Sequence, residues 1–378
     1  MKKKLFNSLG IMSGTSMDGV DISLIKTDGE NYFERILDKY YDFPKSLYEK
    51  LIKLRKIINS REDLDNHHAE IKDTERNFTL FHATIINDII SQNEIDIVGL
   101  HGQTIFHSPK DKISIQIGDG KLLSQLIKKK VIFNFRKNDI ENNGQGAPLT
   151  PIFHNLIAAN NIKALKANTS LSFLNIGGIS NMTKINKNFN PNLMEGFDIG
   201  PGNCLIDNWI KKNSQLKYDK DGKIASSGKV NQLILNQAID NFNSPNYFKS
   251  LDINDYEISF LRGLEFEEGC TTITEITAYL IANGINDLTK QNNDNNLVVL
   301  CGGGRKNKFL IKRIDNFLDV EKNFVLKDID DYDLDGDFIE SQAFGFLAVR
   351  SVLNLPISFP NTTRCSKAVS GGEIIENF

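Results

Sequence analysis

The chain has 378 residues, 40% of them hydrophobic and 25% charged, globular proportions that exclude a disordered or fibrous protein and a length that calls for two domains. A net charge of -3 and a pI near 6.1 argue against a dedicated nucleic-acid binder, which would carry a basic face. No apolar run approaches the roughly 20 residues of a membrane span, and Cys204, Cys270, Cys301 and Cys365 form neither a zinc spacing nor a disulfide framework, so reduced thiols and a cytoplasmic location are expected.

The basic start, Met1-Lys2-Lys3-Lys4, imitates a signal peptide. Asn7, Ser8, Gly10 and Ser13 interrupt the following apolar stretch too early for an h-region, so Leu5 to Ile11 reads as a first strand. Val20 to Thr27 reads as a second strand behind a glycine-rich turn. Between Arg61 and Gln92, Ile71, Phe78, Phe81, Ile85 and Ile89 fall near helical spacing. Ile95 to Leu100 is a compact apolar strand ending in His101-Gly102-Gln103-Thr104, Ile113 to Ile117 alternates as a strand does, and Val131 to Phe135 is another. Gly144-Gln145-Gly146-Ala147-Pro148-Leu149 breaks the pattern, and Pro151 opens a helix to Asn160.

Residues 162–169 connect to a second half that restarts as the first did: strand (Leu171 to Ile176), glycine turn, strand (Met182 to Ile185). Helices are expected around Leu205 to Ile210 and over Val230 to Phe242, a strand over Leu297 to Cys301, and helices over Lys306 to Leu318 and Phe338 to Leu353. Asn292 to Asn296 reads as a solvated loop. The implied division is 1–165 and 166–339, with 340–378 packing back on the first domain.

Three glycine-rich turns, each behind an apolar run, carry the chemistry: Gly10 to Asp21, Asn175 to Asn181, and Cys301 to Gly304. Glycine turns leaving strands let main-chain N–H groups approach a polyphosphate closely. The first offers Gly14, Thr15 and Ser16 to ATP oxygens, with Asp18 and Asp21 as carboxylates for a hydrated Mg²⁺; the third suits adenosine. Asp198, between Phe197 and Ile199 and ahead of Gly200-Pro201-Gly202-Asn203, is the candidate general base, because partial desolvation would raise its pKa. A helix-capping role is its structural alternative. Asp331-Tyr332-Asp333-Leu334-Asp335-Gly336 imitates a calcium loop, but Gln342 stands where the bidentate Glu is needed. Neither a zinc-binding histidine spacing, nor a P-loop, nor a Gly-x-Gly-x-x-Gly fingerprint is present.

In this order the motifs Met12 to Asp21, His101 to Thr104, Gln116 to Asp119, Gly144 to Leu149, Asn175 to Asn181, Phe197-Asp198 with Gly200 to Asn203, and Gly302 to Gly304 resemble the anhydro-N-acetylmuramic acid kinase family. The resemblance runs from Gly10 almost to the C-terminus. It implies an α/β, two-domain actin-like (ribonuclease-H-like) fold with a duplicated mixed sheet and an interdomain cleft. It also implies ATP-dependent hydrolytic opening of a 1,6-anhydro sugar with phosphorylation of O6, in peptidoglycan recycling. Asp198 matches the family's catalytic position. Gly14, Thr15, Ser16, Met17, Asp18, Gly19, Val20, Asp21, Gly177, Gly178, Gly302, Gly303 and Gly304 are implied for ATP with Mg²⁺. His101, Arg136, Asp139, Gly200, Asn203 and Glu340 are implied for the amino sugar, and the assembly is implied to be a homodimer, with no nucleic-acid or membrane partner. Two departures stand out. Ile199 replaces a common Thr, and Lys249-Ser250-Leu251-Asp252-Ile253-Asn254 lacks the Arg and Glu of the family's Ser-Thr-Gly-Arg-Glu segment, so no role is carried to it. An ordinary amino-sugar kinase and a non-sugar actin-like ATPase are the rival readings.

Overall fold

The computed structural model describes residues 3–161, 169–242, 246–289 and 295–378. The expected connection at 162–168 and the loop residues 292–294 lie outside them. Asn295 and Asn296 do not belong to a loop but open a strand. The chain forms two compact units, Met1–Asn161 with Phe338–Phe378, and Ile162–Asp337.

The first unit is built on strands β1 (Phe6–Met12), β2 (Gly19–Thr27), β3 (Phe33–Asp42) and β4 (Ile97–Leu100), a separate hairpin of β5 (Gln103–Ser108) and β6 (Ile113–Ile117), and β7 (Lys130–Phe133). In the main sheet β1 runs antiparallel to β2, and β2 to β3, while β4 and β7 follow on the other side of β1 in parallel. The strand Glu373–Ile375 closes the edge beside β7. β3 and the helix Lys45–Ile57 were not apparent from sequence. In β3 most side chains are exposed or half-buried, so no apolar alternation marks it. Helices Lys45–Ile57 and His68–Ile90 bury Leu51, Phe78 and Ile86 in one core with Leu9 and Val98.

The helix Ile339–Val352 lies against β1, β2 and β4. Small residues set that approach: a Cβ at Gly10 would collide with the Ser341 carbonyl and the Gly345 amide, and one at Gly99 would press on the Phe344 carbonyl. Gly10 is therefore fixed by packing and not by phosphate. Ser8 Oγ donates to the Gly345 carbonyl at 2.7 Å, and Ser23 Oγ meets Ser341 Oγ at 2.7 Å.

The second unit repeats the sheet order. Its strands are β8 (Thr169–Ile176), β9 (Ile179–Ile185), β10 (Glu195–Pro201), β11 (Asn295–Cys301) and β12 (Phe324–Asp328). β8, β9 and β10 pair antiparallel in succession, and β11 and β12 extend from β8 in parallel. The order β10-β9-β8-β11-β12 thus matches β3-β2-β1-β4-β7, the duplicated ribonuclease-H-like core of an actin-like α/β protein. The 23-residue helix Phe266–Leu288 packs on this sheet and escaped the sequence reading, because it is buried nearly all round and shows no polar face. Thr271, Thr272, Thr274 and Thr277 are tolerated there because each hydroxyl bonds a carbonyl one turn back.

Candidate active site

The turn after β1 is shaped by its own sequence. Met17 takes a left-handed φ of 57° and is 2% exposed, anchoring the turn in the core, while Thr15 and Ser16 face solvent. Ser16 Oγ donates to Asp18 Oδ1 at 2.5 Å, and Gln103 Nε2 holds the Gly14 carbonyl at 3.1 Å. A Cβ at Gly19 would collide with the Tyr40 ring, which is why the turn enters β2 through glycine. Val20 is buried, and Asp21 stands opposite Tyr40 on β3. Burial, and then the charges of Asp18, Asp42 and Asp21, push the Tyr40 phenol upward. Asp18 and Asp21 therefore belong to one anionic neighbourhood beside exposed hydroxyls. Among the described residues no group of three or more His, Cys, Asp or Glu side chains is placed to hold a metal ion unaided.

His101, Arg136 and Asp139 come together elsewhere in this unit. Arg136 Nη2 lies 3.0 Å from His101 Nε2, and its Nη1 donates to the Gly146 carbonyl at 2.7 Å. His101 Nδ1 sits 2.8 Å from the Gly102 carbonyl. Burial, then the Arg136 charge, holds His101 well below its ordinary pKa. The ring is consequently neutral, with Nδ1–H donating and Nε2 accepting from Arg136. Asp139, 1% exposed, accepts from Gly146 N–H at 2.6 Å and from Thr363 Oγ1 at 2.5 Å. A Cβ at Gly144 would collide with the same carboxylate. Asp139 thus fixes the 144–149 loop. Glu340, half-buried, lies in the first turn of the helix Ile339–Val352.

In the second unit, the glycine turns gather at one end of the sheet. Gly202 and Asn203 donate N–H to the carbonyls of Gly178 and Gly177 at 2.8 and 2.7 Å, and a Cβ at Gly202 would collide with the Gly177 carbonyl. Gly302, at φ 77°, lies against Asn175 and the Ile176 carbonyl, Gly304 packs on Ile176, and Gly303 is exposed with nothing near its missing side chain. Gly200 adopts φ 153°, and Asn203 begins the helix Cys204–Asn213. Two main-chain loops are therefore locked to a third with their amides concentrated at the sheet's end.

Asp198 lies within β10, one residue before a register shift between Asp198 and Gly200. Phe197 and Ile199 point into the hydrophobic core, Ile199 against Gly284, so Asp198 (7% exposed) occupies the opposite face. Asn175, Asn181 and Asp198 are aligned across β8, β9 and β10. Asp198 Oδ2 accepts from Leu251 N–H at 2.9 Å and from Ser250 Oγ at 3.3 Å. Asn203, not Asp198, occupies the cap position of the following helix.

A family model described as anhydro-N-acetylmuramic acid kinase matches residues 6–377. The chain belongs to the anhydro-N-acetylmuramic acid kinase family. A protein of that name from Pelagibacter ubique is 50% identical over 381 residues, covering 100% of both chains. Those from Brucella canis and Rhizobium etli are each 35% identical, over 97% of this chain and 98% and 97% of their own. Membership makes the chain a phosphotransferase. Among the described residues no helix is long and apolar enough to cross a membrane.

Several groups in this kinase were not read as functional from sequence. Ser250 and Leu251 sit in the divergent segment, whose side chains gave no signal because one of the two donors is main chain. Asn181 was quoted only as a motif end, yet its buried Oδ1 has no hydrogen-bond partner. The calcium-like run is flanked by an arginine clamp, to which its own Asp335 adds a contact at 3.6 Å. Arg305, its side chain 1% exposed, binds Asp328 at 3.1 Å, Asp330 at 2.9 Å and Asp337 at 2.5 Å, and donates to the Gly302 carbonyl at 3.2 Å. Gly336 must lack a side chain to admit the guanidinium, and its carbonyl accepts from Gly302 N–H at 3.0 Å. The aspartates therefore brace the third glycine turn.

Proposed function

We propose that this kinase opens the 1,6-anhydro bridge of anhydro-N-acetylmuramic acid with water while phosphorylating O6 from ATP, within peptidoglycan recycling in the cytoplasm. The observation that carries the reading is Asp198: a carboxylate with two oriented donors, set on the polar face of β10 with both neighbours buried behind it.

Asp198 takes a proton from a water whose oxygen bonds to C1 from the side opposite O6, as the base of an inverting glycosidase does. The C1–O6 bond breaks, O6 bonds to the γ-phosphorus, and the bond to the bridging oxygen of ADP breaks. The products are N-acetylmuramic acid 6-phosphate, ADP and the proton, which Asp198 releases to solvent. Main-chain amides of Gly14 to Gly19 would cradle the phosphates, with Met17 and Val20 anchoring that loop. Gly177, Gly178 and Gly302 to Gly304 would receive the rest of the nucleotide. Half-exposed Asp18 and Asp21 beside Ser16 are hard oxygen donors suited to a hydrated Mg²⁺, which supplies charge neutralisation for the loose transition state. Neutral His101, Arg136 and Glu340 of the first unit and Gly200 and Asn203 of the second would contact the sugar, and Asp139 would act by holding the 144–149 loop. The chain would act as a homodimer, which its mass in solution checks.

Incubation with Mg-ATP and a panel of anhydro and open amino sugars, in ¹⁸O-labelled water, tests this. The expected product is a 6-phosphate labelled at C1. Label in inorganic phosphate and none at C1 rejects it, and turnover of plain N-acetylhexosamines alone would make the chain an ordinary amino-sugar kinase.

A further inference from the structure

The segment from Asn246 to Tyr256 is a strap tied at both ends. Asn246 Oδ1 caps a turn by accepting from Phe248 N–H at 3.1 Å, and the Tyr247 hydroxyl reaches Asp287 on the helix Phe266–Leu288 at 3.0 Å. At the other end the Tyr256 ring packs on Phe242 with centroids 6.0 Å apart. A second turn closes between, with Asp252 N–H donating to Asp255 Oδ2 at 2.8 Å and Asp255 N–H returning to the Asp252 carbonyl at 3.0 Å. Phe248 meets the Phe197 ring edge-on at 6.1 Å. Ser250 and Leu251 are thus stretched between two fixed turns, and both donate to the same oxygen of Asp198.

We propose that Ser250 Oγ and the main-chain N–H of Leu251 are positioning groups for Asp198, fixing its carboxylate rotamer so that it can take a proton from the attacking water. This rests on the reading of Asp198 as the base. A carboxylate alone on a strand rotates about two side-chain bonds, and a base loses effectiveness when its oxygen strays from the line to the water. Two donors from an independently anchored strap remove that freedom. The group that acts at 251 is an amide, which every residue but proline supplies, so the side chain there is not what the arrangement uses.

The test uses the full chain with Ser250→Ala, Ser250→Thr, Leu251→Thr, Leu251→Pro, Asp198→Asn and the Ser250→Ala/Asp198→Asn pair, with thermal melting to confirm folding. Ser250→Ala should lower kcat about tenfold, the equivalent of about 1.4 kcal/mol, with KM for ATP and sugar unchanged. Ser250→Thr should restore most of the rate, and Leu251→Thr should be neutral. Leu251→Pro, which removes the amide donor, should lower kcat at least as much as Ser250→Ala. In single-turnover measurements Ser250→Ala should add nothing once Asp198 is asparagine, because its effect passes through that carboxylate. A parental kcat for Ser250→Ala, or an equal loss in the Asp198→Asn background, overturns the proposal. If Ser250→Ala does not fold, Leu251→Thr and Leu251→Pro decide alone: equal rates in both overturn it. Near-parental turnover by Asp198→Asn overturns this proposal and the function above together. Loss in Asp198→Asn without loss in Ser250→Ala overturns this one only.

Discussion

Replacing Asp198 by asparagine keeps the shape of the side chain and removes its charge and basicity. The surroundings are well suited to that substitution. The amide carbonyl can still accept from Leu251 N–H, now 2.9 Å from Oδ2, while Phe197 and Ile199 on the far face keep their core contacts. Losing the charge from the donors at Leu251 and Ser250 should lower stability by about 1 kcal/mol, a small change in melting temperature. Turnover should respond far more. A positioned base contributes about 10²–10⁴-fold, so kcat should fall by that factor, equivalent to about 2.7–5.4 kcal/mol in the barrier. Ser250 and Leu251, which donate to the carboxylate, lie outside the glycine turns, so the dissociation constant of an ATP analogue should stay within about twofold, well under 1 kcal/mol. Coupled ADP release with the anhydro sugar, alongside calorimetric titration of the analogue, measures both quantities. A folded Asp198→Asn protein with kcat within about threefold of the parent would refute the reasoning, since no group of that effect would have been removed.

Gly202→Ala drives a methyl into the Gly177 carbonyl, and the two bonds that Gly202 and Asn203 N–H donate to the Gly178 and Gly177 carbonyls leave neither turn room to retreat; expect about 1–3 kcal/mol of destabilisation and a raised KM for ATP, read by melting and initial rates. Arg305→Met leaves Asp328, Asp330 and Asp337 facing one another, and because those carboxylates are partly exposed the loss should fall below that of a fully buried pair, at about 1–3 kcal/mol. Calcium added to the parent should leave the melting temperature unchanged; a clear rise would contradict the arginine clamp. Acid should destabilise the fold before its carboxylates titrate. Burial holds His82 down to about 4 and His154 to about 3, and burial with the Arg136 charge keeps His101 well below its usual value. These folded pKa values are depressed, so the unfolded chain binds more protons below about pH 6.5, and stability present above that pH is lost as pH falls toward the folded values. Each ring should cost about 1 kcal/mol between pH 6.5 and 5.5, and melts flat across that interval would refute it.

The turns that frame the candidate site were legible because glycine and turn residues mark strand ends whatever packs around them. Gly202 and Gly302 are required by close main-chain approach, and that requirement is written in the residue type. What stayed hidden depended on partners distant in sequence. β10 was not seen as a strand because Gly196, Gly200 and Pro201 disguise it, and only its pairing with β9 reveals it. The helix Phe266–Leu288 lacks a polar face, so periodicity had nothing to detect. Leu251 donates through a main-chain N–H that every residue but proline shares, so its side chain gives no sign of it. The run Asp331 to Gly336 is set aside as a calcium loop for want of its twelfth ligand, but that Asp328, Asp330, Asp335 and Asp337 surround Arg305, more than twenty residues upstream, could not be read from spacing.

The helix Ile339–Val352 fills the surface formed by β1, β2 and β4, although more than three hundred residues of chain separate Ser8 from its partner Gly345. During synthesis, then, the opening third of the protein must wait on the ribosome with that surface bare until nearly the whole message has been read. The intervening unit, whose strands all lie within Ile162–Asp337, can finish its own sheet first. Nascent chains halted before the helix Ile339–Val352 should therefore protect the middle of the polypeptide from protease while the beginning is still being cut.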